Sequence, residues 1–188
     1  MKKLVLVLAA CSSKPVAPPD VACSAVTCGT GCCTPAATCA GDSCACPADF
    51  IPATPMFVTG VVVNNLPQIP GLLAAIGQFD QPTERDALLV AYDPATVTAG
   101  VDIDLATSTN VELGFGYDID ANQDIRGSFR ATTGTVHFTT VCAAGVAGTL
   151  SNAGLEEIDI FNNLTPILDG CTMTVPTVTF AIAGACTP

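Results

Sequence analysis

Tryptophan is absent from the 188 residues, and two tyrosines and eight phenylalanines bring the aromatic content to only 5%. Sugar-binding faces stack their ligands on exposed rings, so this poverty weakens a carbohydrate-stacking site. Basic side chains are also scarce: six lysines and arginines stand against 17 acids, for a formal net charge of -11. A chain of that sign repels phosphate backbones, which argues against nucleic acid as a partner. The acid excess itself reads as solubility and mutual repulsion at a surface. No apolar run reaches the roughly 18 residues that a membrane helix needs, although the mean hydropathy is +0.52. Only one histidine is present, and no Gly-x-Ser-x-Gly elbow occurs to present an activated serine. At this length the chain accommodates one full domain and a small appendage.

What is present begins with an address. Lys2 and Lys3 precede a short apolar run, Leu4 to Ala10, that ends in small residues, the order of an export signal. After it come Cys11-Ser-Ser-Lys-Pro-Val-Ala-Pro-Pro, a proline-rich stretch without apolar periodicity that reads as a tether. Leu8-Ala9-Ala10-Cys11 resembles the lipobox of bacterial lipoproteins. The resemblance implies that Cys11 is diacylated on sulfur, becomes the new amino terminus and is held in a membrane leaflet. In that family aspartate after the lipidated cysteine retains the protein in the inner membrane. Ser12 stands there, which implies the outer membrane, on its periplasmic or surface face. An ordinary secretory signal with an incidental cysteine is the alternative, and it too exports the chain. Loss of Lys2 and Lys3 with the signal leaves four basic residues against the 17 acids, a charge near -13.

The remaining cysteines fall in two groups. Cys23, Cys28, Cys32, Cys33, Cys39, Cys44 and Cys46 crowd among Gly, Ala, Ser and Thr, while Cys142, Cys171 and Cys186 lie far downstream. Export makes disulfides the default. A segment with so little to bury needs them, at about 2 to 4 kcal/mol each. Zinc bound by close thiolates competes, but no paired Cys-x-x-Cys halves are present. Seven and three are both odd, so full oxidation requires a bridge between the groups, most simply from Cys46. The spacing, with its adjacent pair and Cys44-Ala-Cys46-Pro, resembles knottin and EGF-like modules, though the last cysteine of an EGF repeat is missing. A knottin pairing implies Cys23 with Cys33, Cys28 with Cys39 and Cys32 with Cys44.

Beyond Pro47 the periodicity is that of strands. Phe57 to Asn64 is valine-rich, Asp86 to Tyr92 ends at the turn pair Asp93-Pro94, and alternation runs from Val101 to Leu105 and Val111 to Ile119. Ile125 and Phe129 open a further strand after the turn Ala121 to Asp124, and Gly134 to Cys142 alternates again. Gly148 to Leu150 reaches a turn at Ser151 to Gly154, Leu155 to Phe161 resumes, and a last strand spans Cys171 to about Ala183. Pro176 within that strand predicts an edge or a bulge. One helix is expected at Leu72 to Ile76, on the propensity of its Leu and Ala residues. Eight or nine short strands predict an all-β fold, an antiparallel β-sandwich of jelly-roll, Ig-like or barrel-like form. The chain thus divides into a signal (1–10), a lipidated cysteine and tether (11–20), a cysteine-rich module (21–49) and a β domain (50–188). That domain loosely resembles the β-rich domains of exported bacterial lipoproteins, which implies no activity.

Candidate sites are few. Asp118, Asp120, Asn122 and Asp124 offer oxygens at alternate positions in a tight turn, as calcium requires. Gln123 and Phe129 replace the glycine and closing glutamate of an EF-hand loop, and a solvated hairpin tip explains the same residues. Asp102 and Asp104 on a neighbouring strand could add oxygens. His137 has Thr135 and Thr139 as face-mates, which reads as an exposed strand position. Glu156 and Glu157 are adjacent and so point to opposite faces of a strand, which does not make an acid and base pair. Asn163-Leu-Thr165 matches a glycosylation acceptor but precedes Pro166 as a loop. Three functions follow in order: a non-enzymatic binding or interaction module with a protein or glycan partner, a calcium-dependent adhesion or ligand-binding domain, and last a hydrolase. The first two need no catalytic residue, and the first needs no cofactor.

Overall fold

The structure, a computed structural model, describes residues 27–28, 31–47, 51–64, 66–67, 69–80, 85–120, 122 and 124–184, without the side chains of residues 31, 32 and 80. The signal, Cys11, the tether, Cys23 and Cys186 lie outside the described residues. Thirteen strands and no helix are found within them. Four are short and belong to the cysteine-rich segment: β1 (Thr27–Cys28) pairs with β2 (Gly31–Cys32), and β3 (Thr38–Ala40) pairs with β4 (Ser43–Ala45).

The other nine form one antiparallel sheet. They are β5 (Phe57–Asn64), β6 (Leu73–Asp80), β7 (Arg85–Tyr92), β8 (Asp102–Asp104), β9 (Val111–Ile119), β10 (Ile125–Cys142), β11 (Gly145–Asp159), β12 (Thr165–Pro166) and β13 (Thr172–Ala183). Long strands pair in the order β5-β6-β7-β9-β10-β11-β13, each with the next long strand of the chain. That meander matches the barrel-like variant of the predicted all-β fold. The sheet curls until its first and last strands meet. Thr179 N–H donates to Ala53 C=O at 2.7 Å, and a Cβ on Gly60 would stand 2.9 Å from the Ala183 backbone nitrogen.

Alternation decides what lies inside. In β9 Val111, Leu113, Phe115, Tyr117 and Ile119 are buried while the residues between them are half-buried. Leu88, Phe115 and Phe129 stand opposite one another across three strands and share the inner core with Phe79, Tyr92, Phe138, Leu150, Leu155 and Phe180. Tyr92 donates its hydroxyl to Cys142 C=O at 2.7 Å, and burial raises its pKa above 10.0. A second, smaller cluster forms on the outer face, where the 66–72 connection folds back. There Ile69, Ala74, Ile76 and Ala91 are buried with Leu66, Leu72, Leu89 and Leu164 against them.

Three expectations need correction. Leu72 to Ile76 is not helical, because β6 runs from Leu73 to Asp80 between β5 and β7. Its Ala75 and Phe79 enter the inner core while Ala74 and Ile76 enter the outer cluster. A strand buried on both faces shows a continuous apolar run instead of alternation, and pairing overrides propensity. The two strands expected around Gly134 are one, β10, bent where Gly134 takes φ +115 and the register slips. A Cβ there would meet Ala153 Cα at 2.7 Å. The turn expected at Ser151 to Gly154 is likewise a bulge inside β11: Asn152 has φ +51 and faces Pro176 of β13, where the ladder skips a pair. Pro176, which has no N–H to give, stays in register on a strand whose ladder runs to β11 alone, the edge position of the two that the sequence offered.

Candidate functional site

The cysteine-rich segment closes one end of the barrel. Cys28 bonds Cys39 and Cys33 bonds Cys44, with the Cys28 and Cys33 sulfurs 3.0 Å apart. The first bridge matches the knottin pairing. Cys33 with Cys44 replaces both Cys23 with Cys33 and Cys32 with Cys44. Cys33 is buried, and its sulfur reaches Cys44 of the β3–β4 hairpin. Cys28, Cys33 and Cys44 gather their sulfurs within 4.8 Å, a spacing that could suit a metal. Both bridges consume those sulfurs as disulfides. Cys46 bonds Cys171 across 125 residues, the long bridge that the cysteine count requires. Cys142 is also disulfide-bonded.

Polar groups complete the seal. Glu157, 2% exposed, faces the interior in the row Leu88, Phe115, Phe129. One of its carboxylate oxygens accepts Ala36 N–H and the other Cys171 N–H, both at 2.9 Å. Arg126 donates to Pro35 C=O at 3.2 Å and Ala37 C=O at 2.7 Å, and lies 3.4 Å from the Asp118 carboxylate. Ala36 lodges over Gly127, where a Cβ would stand 2.5 Å from its own. Ala36, Ala37, Cys28 and Cys33 therefore belong to the same buried cluster as the barrel interior. Glu157 and Glu156 do diverge: Glu156 pairs outside with Arg130 at 2.9 Å.

The acidic turn holds its oxygens in local bonds. Asp120 Oδ1 accepts the N–H groups of Asn122 at 2.7 Å and Asp124 at 3.0 Å, while its own N–H donates to Asp124 C=O. The bond from Asp124 N–H is the largest cause that lowers the Asp120 pKa below 3.8, ahead of those from Asn122. A depressed carboxyl pKa supports the folded turn above the ordinary value and withdraws that support as pH falls through the lowered one. Asp118, at φ +53, turns to Arg126. Asp102 and Asp104 lie on β8, opposite His137 and Thr135, away from this turn.

His137 is half-exposed, and its Nδ1 lies 2.6 Å from Asp102 Oδ1. Thr149 stands beside it in the ladder on the other side. No side-chain hydrogen bond joins His137 and Thr149 among the described residues. Asn163 sits in the tight loop between β11 and β12.

Sequence reasoning missed a pocket on the outer face. Its floor is Gly114 and Gly116 of β9, with Leu89 of β7 and Ser128 of β10 beside them. Leu66 and Ile69 wall one side, and Ile158, Ile160 and Leu164 wall the other. It holds about 70 Å³ and is almost wholly apolar, with Glu112 and Arg130 as its charged lining. The signal was present in the alternation of β9: its outward positions read Glu112, Gly114, Gly116, Asp118, so two absent side chains leave a trough. Leu164 reaches it because Asn163 and Leu164 both take left-handed conformations, φ +52 and +57. The chain matches no protein-family model, no curated protein and no solved structure.

Proposed function

We propose that this is an exported, lipid-anchored binding module of the bacterial outer membrane, without catalytic activity, which presents an apolar site on a covalently capped barrel. The pocket over Gly114 and Gly116 carries the reading, since it is a preformed concave apolar surface of the kind that small ligands and side-chain anchors use. Chemistry-bearing groups elsewhere are engaged in structure: Glu157 in the cap, Asp118 with Arg126, Asp120 in its turn. The address rests on the lipobox resemblance at Cys11.

Two measurements test the two halves. Labelled palmitate should be incorporated by the wild type and lost in Cys11→Ala, and labelling of both alike would remove the anchor. The apolar fluorophore N-phenyl-1-naphthylamine should brighten on binding the oxidised protein. Gly116→Val should suppress this while thermal unfolding stays within a few degrees, because a Cβ at Gly116 meets only ordinary contacts at 3.6 Å. Equal brightening in wild type and variant would place the apolar site elsewhere.

A further inference from the structure

We infer that the outer-face pocket takes the alkyl end of a single-chain amphiphile whose head carries an ammonium group. This rests on the binding-module reading and adds the chemistry of the ligand.

The tail follows from the floor. β9 lies between β7 and β10, and its backbone N–H and C=O groups are used in ladders on both sides. A polar ligand laid there loses its water and gains no backbone partner, whereas hydrocarbon needs none. About 70 Å³ admits roughly a propyl or isobutyl end, against the ~150 Å³ that takes up benzene. A longer chain has an apolar path onward over the outer cluster at Leu66 and Leu72. The wall is held at a cost: a leucine is disfavoured in the left-handed region, yet Leu164 adopts it and packs against that cluster.

The head follows from the two charges. Arg130 is neutralised by Glu156 at 2.9 Å. Glu112, half-buried on the pocket wall, has no ion-pair partner among the described residues. An ammonium beside Glu112 is therefore attracted. An anionic head meets a neutralised arginine, a free carboxylate and a chain of net charge -11.

The experiment is displacement of N-phenyl-1-naphthylamine from the full oxidised chain by alkylammonium, alkyl sulfate and alkyl maltoside series below their micelle concentrations. Affinity should rise about fourfold per methylene until the pocket fills. Ammonium heads should bind best, and Glu112→Gln should reduce their preference over maltosides about twofold to fivefold. Gly116→Val should weaken all three series, and Leu164→Gly, which removes a wall and relieves the strained φ, should do so without loss of thermal stability. Sulfates binding as well as ammonium heads, or an ammonium preference untouched by Glu112→Gln, would overturn the head assignment. A Lys-Leu peptide displacing the dye more tightly than any amphiphile would overturn the ligand class and leave the binding module standing. Dye bound equally by wild type and Gly116→Val would end both the ligand assignment and the reading of this pocket as the binding site.

Discussion

Glu157 illustrates how one residue ties two parts of the chain together. Its carboxylate ends the inner row of a barrel strand, and its two oxygens accept one backbone N–H from the cap and one from the segment that carries Cys171. A buried N–H without an acceptor costs roughly 1 to 3 kcal/mol. Glu157→Ala strands two of them and should lower urea-unfolding stability by about 2 to 5 kcal/mol, while Glu157→Gln, which keeps one acceptor, should cost less than half as much. Equal stability of all three proteins would mean that water satisfies those donors. Sequence alone placed Glu156 and Glu157 on opposite faces, which is correct. It could not assign Glu157 a partner 121 residues away, because nothing local to Ala36 signals an acceptor.

At the scale of the element, strands with one wet face were legible, and of the two strands with both faces dry, β7 was and β6 was not. β5, β7 and β9 follow the valine-rich, apolar and alternating runs almost residue for residue. Leu72 to Ile76 suggests a helix because its Leu and Ala residues favour one, and nothing local marks it as a strand paired on both sides. Gly77 answers to a distant contact: the Phe57 ring of β5 lies across it, so that a Cβ would stand 2.4 Å from the ring, and Phe57 meets Phe79 edge to face at 5.9 Å. Gly77→Ala should therefore destabilise by about 1 to 3 kcal/mol through overpacking. In a Phe57→Leu background the same change should cost much less, and a double-mutant cycle reads the difference. Additive costs would show that Gly77 answers to something other than the ring. Gly134 and Asn152 taught the complementary point, since residues typical of turns can serve a bulge when the partner strand continues past them. The pocket was hidden for a related reason, as it consists of side chains that two glycines lack and of walls supplied by distant connections.

For the whole molecule, the cysteine count foretold a bridge between the two groups, and Cys46–Cys171 provides it. The bridge spans 125 residues, so in the chain-entropy account its stabilisation lies at the upper end, about 4 to 5 kcal/mol. Replacing Cys46 and Cys171 together by serine should lower stability by several kcal/mol in denaturant titration. It should also expose the 28–46 segment to limited proteolysis before the barrel, because only the hydrogen bonds of Glu157 and Arg126 and the packing around Ala36 then hold the cap. Simultaneous loss of cap and barrel would show instead that the cap is part of the folding unit of the barrel, which the shared buried cluster makes the main rival outcome.

The meander has seven long strands, and an odd number in antiparallel succession leaves the first and the last running the same way. β5 and β13 both start at the capped end, so the chain enters the barrel beside the cap and leaves β13 at the far rim, near the Cys142–Gly145 hairpin. At about 3.3 Å per residue, the 12 residues of β13 run roughly 40 Å along the strand from one rim to the other. If the anchor lies on the amino-terminal side, the molecule has a polarity like that of a flagpole. A tag appended after Ala183 is then flown at the distal tip, where an antibody reaches it without crowding the cap.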